Sequence, residues 1–100
     1  YYQFLSYITY ATGAQTNSGV NNAVSFSYIG ESSANMNTVA IDLYGPNLAA
    51  YTRMMGSYVG TVAGTIGGYH GVATAYTDFT LAVAGTITGG TITVYGYRKA

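Results

Sequence analysis

The sequence predicts an all-β fold, an antiparallel β-sandwich of jelly-roll type with about seven to eight strands, and three observations carry that prediction. Valine, isoleucine, threonine, tyrosine and phenylalanine dominate, residues that fit a pleated, half-buried surface, while the strong helix formers leucine, glutamate, lysine and glutamine are scarce. Apolar residues recur at every second position in several short runs, the period of a strand with one covered face. Fourteen glycines, with polar clusters of Asn, Ser and Thr, separate those runs at near-regular intervals. One hundred residues suit a single core, so residues 1–100 are expected to form one β-sandwich domain.

The elements follow in order. Residues 1–11 read as a long strand with Tyr2, Phe4, Ile8 and Tyr10 on one face, and residues 12–22 as a polar loop. Residues 23–29 alternate, Val24, Phe26 and Tyr28 inward against Ser25 and Ser27 outward. A second polar loop covers residues 30–37. Residues 38–44 place Val39, Ile41 and Leu43 on one face and Asp42 on the other. Gly45-Pro46-Asn47 has turn chemistry, with proline where no ladder donor is needed. A single helical turn fits residues 48–50, followed by a strand over residues 51–59. The glycine-rich residues 60–68 follow neither template. Strands are then expected over residues 69–76, over 79–84 with Phe79, Leu81 and Val83 inward, and over 91–97 with Ile92 and Val94 inward. A short echo, Gly85-Thr86-Ile87-Thr88-Gly89 followed by Gly90-Thr91-Ile92-Thr93-Val94, suits a hairpin turning at Gly89-Gly90. The expected core is Phe4, Val24, Phe26, Val39, Ile41, Leu43, Phe79, Leu81, Val83, Ile92 and Val94.

Composition excludes several function classes. Charged residues make up 6% of the chain, and three basic residues (Arg53, Arg98, Lys99) balance three acidic ones (Glu31, Asp42, Asp78). A nucleic-acid module needs a basic stripe to neutralise phosphates, and none exists. Without cysteine there is no disulfide framework, thiolate zinc site or thiol nucleophile. The long uncharged stretch after Met54 is broken by Gly56, Gly60, Gly64, Gly67, Gly68 and Gly71, which is incompatible with a membrane-spanning helix. The chain opens on Tyr1 in a strand-like run and closes on Tyr97-Arg98-Lys99-Ala100, so it is expected to be the C-terminal part of a longer chain.

Catalytic constellations are thin. Ser57, His70 and Asp78 supply the residue types of a triad, but no Gly-x-Ser-x-Gly elbow accompanies them. Asp42 and Asp78 would flank a glycosidase cleft only by coincidence, and no adjacent carboxylates suggest a metal site. The expectation is therefore no enzyme activity, no cofactor and no metal. Arg53 and Asp42, each alone in a neutral strand, are expected to pair across strands or across a subunit boundary. Twelve tyrosines and three phenylalanines exceed what a thin sandwich buries. Tyrosine makes stiff, amphipathic contacts, so Tyr44, Arg53, Tyr58, Tyr95 and Tyr97 are candidates for a subunit interface. Loop residues Asn47, Tyr69, His70 and Tyr76 are candidates for contact with a neutral glycan or receptor.

Three segments carry a family resemblance: Ile41-Asp42-Leu43-Tyr44-Gly45-Pro46-Asn47 with Tyr51-Thr52-Arg53, then Ala75-Tyr76-Thr77-Asp78-Phe79-Thr80-Leu81, and the ending Gly89-Gly90-Thr91-Ile92-Thr93-Val94-Tyr95-Gly96-Tyr97-Arg98. Over roughly residues 39–99 the chain resembles the C-terminal β domains of bacteriophage virion proteins, tail fibres in particular. The resemblance implies a non-enzymatic structural domain on the virion surface. It also implies a homo-oligomer, a trimer first, in contact with other virion proteins and with a host-surface glycan. It carries over no catalytic residue. A capsid decoration or head-fibre protein is the alternative within the virion. Outside it stand a carbohydrate-binding or adhesin module and a self-assembling filament subunit, since neutral strands add edge to edge.

Overall fold

The computed structural model describes residues 1–31 and 37–97. Five strands, β1 (Tyr2–Thr9), β2 (Ala14–Val20), β3 (Thr38–Tyr44), β4 (Thr52–Val59) and β5 (Val62–His70), form one antiparallel sheet in the order β2-β1-β5-β4-β3. The sheet is open, with β2 and β3 at its edges, and the described residues contain no helix. The all-β expectation therefore holds, but the described chain contains a single sheet of five strands rather than seven or eight.

Three tight connections set the register. Between β1 and β2, Gly13 takes φ +67° and donates its N–H to the Thr9 carbonyl at 2.8 Å. That left-handed conformation is cheap only for glycine. Between β3 and β4, Gly45 (φ +67°) accepts from the Leu48 N–H at 3.1 Å, the turn expected at Gly45-Pro46-Asn47. Between β4 and β5, Val59 pairs with Ala63 around Gly60 and Thr61.

Side chains then divide strictly between two faces. The covered face carries the rows Gln3–Gly68–Met54–Leu43, Leu5–Ile66–Gly56–Ile41 and Tyr7–Gly64–Tyr58–Val39, read across β1, β5, β4 and β3. Leu5, Met54, Tyr58 and Ile66 are its buried centre, with Tyr7, Phe26, Tyr28, Ile29, Ile41, Leu43 and Val62 packed against them. Residues 21–31 form the lid. They leave the β2 edge, cross this face without pairing into the sheet, and lead toward the opposite edge at β3. Ala23 and Tyr1 hold the start of the crossing by backbone bonds of 2.9 and 3.0 Å. In the middle, buried Gln3 bonds both backbone groups of Tyr28: its Nε2 donates to the Tyr28 carbonyl, and its Oε1 accepts the Tyr28 N–H at 3.0 Å. At the far end the Glu31 carboxylate accepts from the Thr61 N–H at 2.8 Å, from the Thr61 hydroxyl and from the Val62 N–H at 3.4 Å.

Several expectations are corrected. Residues 14–20 are strand β2 and not loop; an edge strand wet on both faces has no apolar alternation to reveal it. Residues 23–29 are the crossing lid: Phe26 and Tyr28 do point inward, but Val24 is 97% exposed. The glycine-rich residues 62–70 are central strand β5, and the strand expected over 69–76 ends at His70. Residues 48–50 make no helical turn, and residues 79–84 and 91–97 join no ladder. Phe4, Val39, Phe79, Leu81, Val83, Ile92 and Val94, all expected in the core, are exposed; only Phe26, Ile41 and Leu43 of that set pack against it. Of the polar loop expected over 30–37, residues 32–36 lie outside the described residues, as do Arg98 and Lys99.

Glycine explains why β5 runs through the middle. A Cβ on Gly64 would lie 2.2 Å from the Ser6 carbonyl oxygen and 2.6 Å from the Tyr7 Cβ. Gly68 sits under Phe26, whose Cε1 would be 3.2 Å from such a Cβ. At both positions the nearest atom belongs to the β1 backbone, so the absent side chains are what lets β5 lie close against β1.

Candidate functional site

The opposite face of the sheet is the feature that demands explanation, because its large apolar side chains are left exposed. The register places Tyr2, Tyr69, Arg53 and Tyr44 in one row across β1, β5, β4 and β3. Behind it come Phe4, Gly67, Met55 and Asp42, then Ser6, Thr65, Ser57 and Ala40, and finally Ile8, Ala63, Val59 and Thr38. Phe4 is 56% exposed and Met55 61%, and Ile8, Tyr44, Val59 and Tyr69 are exposed with them. The Phe4 ring lies over Gly67, where an added Cβ would meet its Cε1 at 2.5 Å. Between Phe4, Tyr44, Arg53, Met55, Gly67 and Tyr69 runs an open trough of about 550 Å³. Tyr2 stacks on Tyr69 at 4.8 Å between centroids and Tyr51 on Tyr69 at 6.1 Å, so one edge of the trough is a three-ring ladder.

The candidate interface residues divide. Tyr44 and Arg53 are neighbours on this open face. Tyr95 and Tyr97 are exposed in the C-terminal segment, where the Tyr97 hydroxyl approaches Asp42 Oδ1 at 3.5 Å. Tyr58 is a correction: it is 1% exposed, at the centre of the covered face, and no interface reaches it. Its hydroxyl is buried without a well-formed hydrogen bond among the described residues, and burial first, then the Tyr28 hydroxyl beside it, pushes its phenol well above the ordinary value. The Asp42–Arg53 pair does not form within the chain. The register sets Arg53 against Tyr44 and Tyr69, and Asp42 against Met55.

The candidate glycan residues also divide, because the sheet separates them. Tyr69 is on the open face, whereas His70, the next residue, points the other way. There its ring stacks on Tyr1 at 4.0 Å and its Nδ1 lies 3.1 Å from the Tyr76 hydroxyl. Tyr76 in turn donates its N–H to the Pro46 carbonyl at 2.7 Å, next to exposed Asn47. His70 and Tyr76 are thus a packing cluster at one end of the sheet rather than a platform with Tyr69. Ser57 and His70 lie on opposite faces, and Ser57 is five residues along β4 from Thr52, the partner of His70, about 17 Å at strand rise. No proton passes directly between them. Among the described residues no three His, Asp or Glu side chains gather as metal ligands, and no helix is long and apolar enough to cross a membrane.

Reasoning from sequence missed Met55 and placed Phe4 in the core. In β1, Tyr2, Phe4 and Ile8 alternate with Leu5 and Tyr7, so both faces are apolar and the pattern does not say which is covered. No family model, curated protein or solved structure matches this chain.

Proposed function

We propose that the chain is a non-enzymatic structural module that self-associates through the open face of its sheet, as a virion surface domain of the bacteriophage fibre kind. The observation that carries this reading is the exposed apolar face centred on Phe4 and Met55 and rimmed by Tyr2, Tyr69 and Tyr44. Contiguous apolar patches of this kind mark partner sites. A second copy is the partner of matching chemistry: with six charged residues in 100, little charge repulsion keeps copies apart. The layer missing from each sheet is then supplied between subunits, with the open faces packed together around the symmetry axis. A closed oligomer is required, because exposed edges whose one charged side chain is Asp42 otherwise propagate. The fibre resemblance makes it a trimer.

Sedimentation velocity at micromolar concentration, repeated in 1 M salt, tests the reading. The chain should remain oligomeric in both, and Met55→Glu should yield a folded monomer. A folded wild-type monomer in both conditions overturns it. The virion assignment is tested by the parent gene: a fibre protein carries a triple-stranded stalk upstream of Tyr1. The tyrosine ladder favours a second reading, a glycan platform on Tyr2, Tyr69 and Tyr51. Under that reading Tyr69→Ala abolishes glycan-array binding of a monomeric chain.

A further inference from the structure

We propose that residues 79–83 of one copy add as an antiparallel strand to the β3 edge of a second copy, with Leu81 opposite Ile41 and Ala82 opposite Ala40. This names a specific contact within the self-association proposed above and rests on it.

The donor is a strand in pattern without being one in place. Phe79, Leu81 and Val83 alternate with Thr80 and Ala82, yet the segment joins no ladder and Leu81 is 43% exposed. Ordering such a run costs conformational entropy that, with its apolar face in water, nothing offsets. The acceptor is equally incomplete. β3 ends the sheet order, so among the described residues one side of its backbone has no partner strand. It carries no lysine and no proline, and its one charged side chain, Asp42, belongs to the open face.

Pattern complementarity fixes the register. On β3, Val39, Ile41 and Leu43 belong to the covered face, and Ala40 and Asp42 to the open one. Setting Leu81 against Ile41 places Phe79 beside Leu43 and Val83 beside Val39, which extends the core layer by one strand. The same register sets Thr80 beside Asp42 and Ala82 beside Ala40. A slip of one residue drives Thr80 and Ala82 into the apolar layer instead. The other edge offers no such match, since β2 reads Ala-Gln-Thr-Asn-Ser-Gly-Val.

Within one chain the segment is tethered on both sides but does not pair. Tyr76 is hydrogen-bonded to Pro46 beside the end of β3, and Tyr97 approaches Asp42, but the backbone between them stays off the edge. Donation between copies uses residues 79–83 and the β3 edge of each copy once, and the assembly closes where the rotation between successive copies returns to the first.

The absence of cysteine allows a clean cross-linking test. Directly opposed antiparallel residues have Cα atoms about 4.5–5.5 Å apart, within disulfide range. Full-length Ala40→Cys and Ala82→Cys chains, differently tagged, are mixed and mildly oxidised. The mixed disulfide should exceed either same-variant disulfide by at least tenfold. Leu81→Asp, introduced into both chains, should reduce it at least tenfold without changing the circular dichroism spectrum. In the chain carrying both cysteines, disulfide-linked multimers should form; a monomer with an internal disulfide assigns the strand to its own chain and overturns the proposal. Absence of the mixed disulfide in a wild-type-like oligomer overturns strand donation alone, leaving the open-face association standing. Absence of any oligomer overturns both.

Discussion

Gln3→Met replaces the polar side chain that ties the middle of the lid to the sheet with an apolar one of similar length. Gln3 is 6% exposed, and its amide bonds both the N–H and the carbonyl of Tyr28. Each such bond contributes about 0.5–1.5 kcal/mol net, and a buried backbone group left without a partner costs about 1–3 kcal/mol. The Tyr28 groups are only partly buried, so water recovers some of that loss. The expected destabilisation is about 2–4 kcal/mol, a large share of the roughly 5–15 kcal/mol that holds an ordinary domain folded. Urea denaturation at fixed protein concentration measures it, and the midpoint should fall with little change in slope. Gln3→Glu separates hydrogen bonding from shape. The carboxylate can accept from the Tyr28 N–H but faces the Tyr28 carbonyl with negative charge, so its folded-state pKa lies above the unfolded value near 4.3. A raised pKa gives stability that is complete below the unfolded pKa and lost as pH rises through the folded one. Relative to wild type, Gln3→Glu should therefore be weakest at pH 7 and recover toward pH 4, while the Gln3→Met deficit stays flat. A Gln3→Met change under 0.5 kcal/mol, or a Gln3→Glu deficit independent of pH, refutes the clamp.

Tyr58→Phe removes a buried hydroxyl without a well-formed hydrogen bond among the described residues, so stability should be unchanged or rise by about 1 kcal/mol; thermal denaturation reads it. In wild type the raised Tyr58 pKa contributes stability that is full below pH ~10 and lost as pH climbs through the folded value, so Tyr58→Phe should flatten the alkaline melting profile. Glu31 behaves oppositely: the Thr61 hydroxyl first, with the Thr61 and Val62 N–H groups, holds its carboxyl below the ordinary value against a smaller opposing effect of burial. Its contribution is present above the unfolded pKa and disappears as pH falls through the lower folded one, and Glu31→Gln should remove that part of the acid sensitivity. Gly64→Ala should destabilise by about 1–3 kcal/mol, because the new methyl meets the Ser6 carbonyl and Tyr7 with no flexible chain end to yield; equal stability would mean the two strands separate there.

Local geometry is legible from the residues alone. The composition sets an all-β fold, and the alternation in residues 38–44 and the turn at Gly45-Pro46-Asn47 appear in the structure as β3 and its turn. These are legible because a half-buried strand writes its period into the chain and a turn demands particular residues. The sequence left open which face of each strand is covered, and it gave no pattern at all for β2, whose polar side chains are wet on both sides. It hid β5 as well, since Gly64 and Gly68 are there for the close approach of β1 and Gly67 for the bulk of Phe4, neighbours far away in sequence. The same limit misplaced Phe4 and Tyr58: alternation separates two faces but does not rank them. Only the path of residues 21–31, held by Gln3 and Glu31, decides that Leu5 and Tyr58 are inside while Phe4 and Met55 meet the solvent. A one-residue parity is local physics, whereas the choice of covered face is made by whatever chain crosses it.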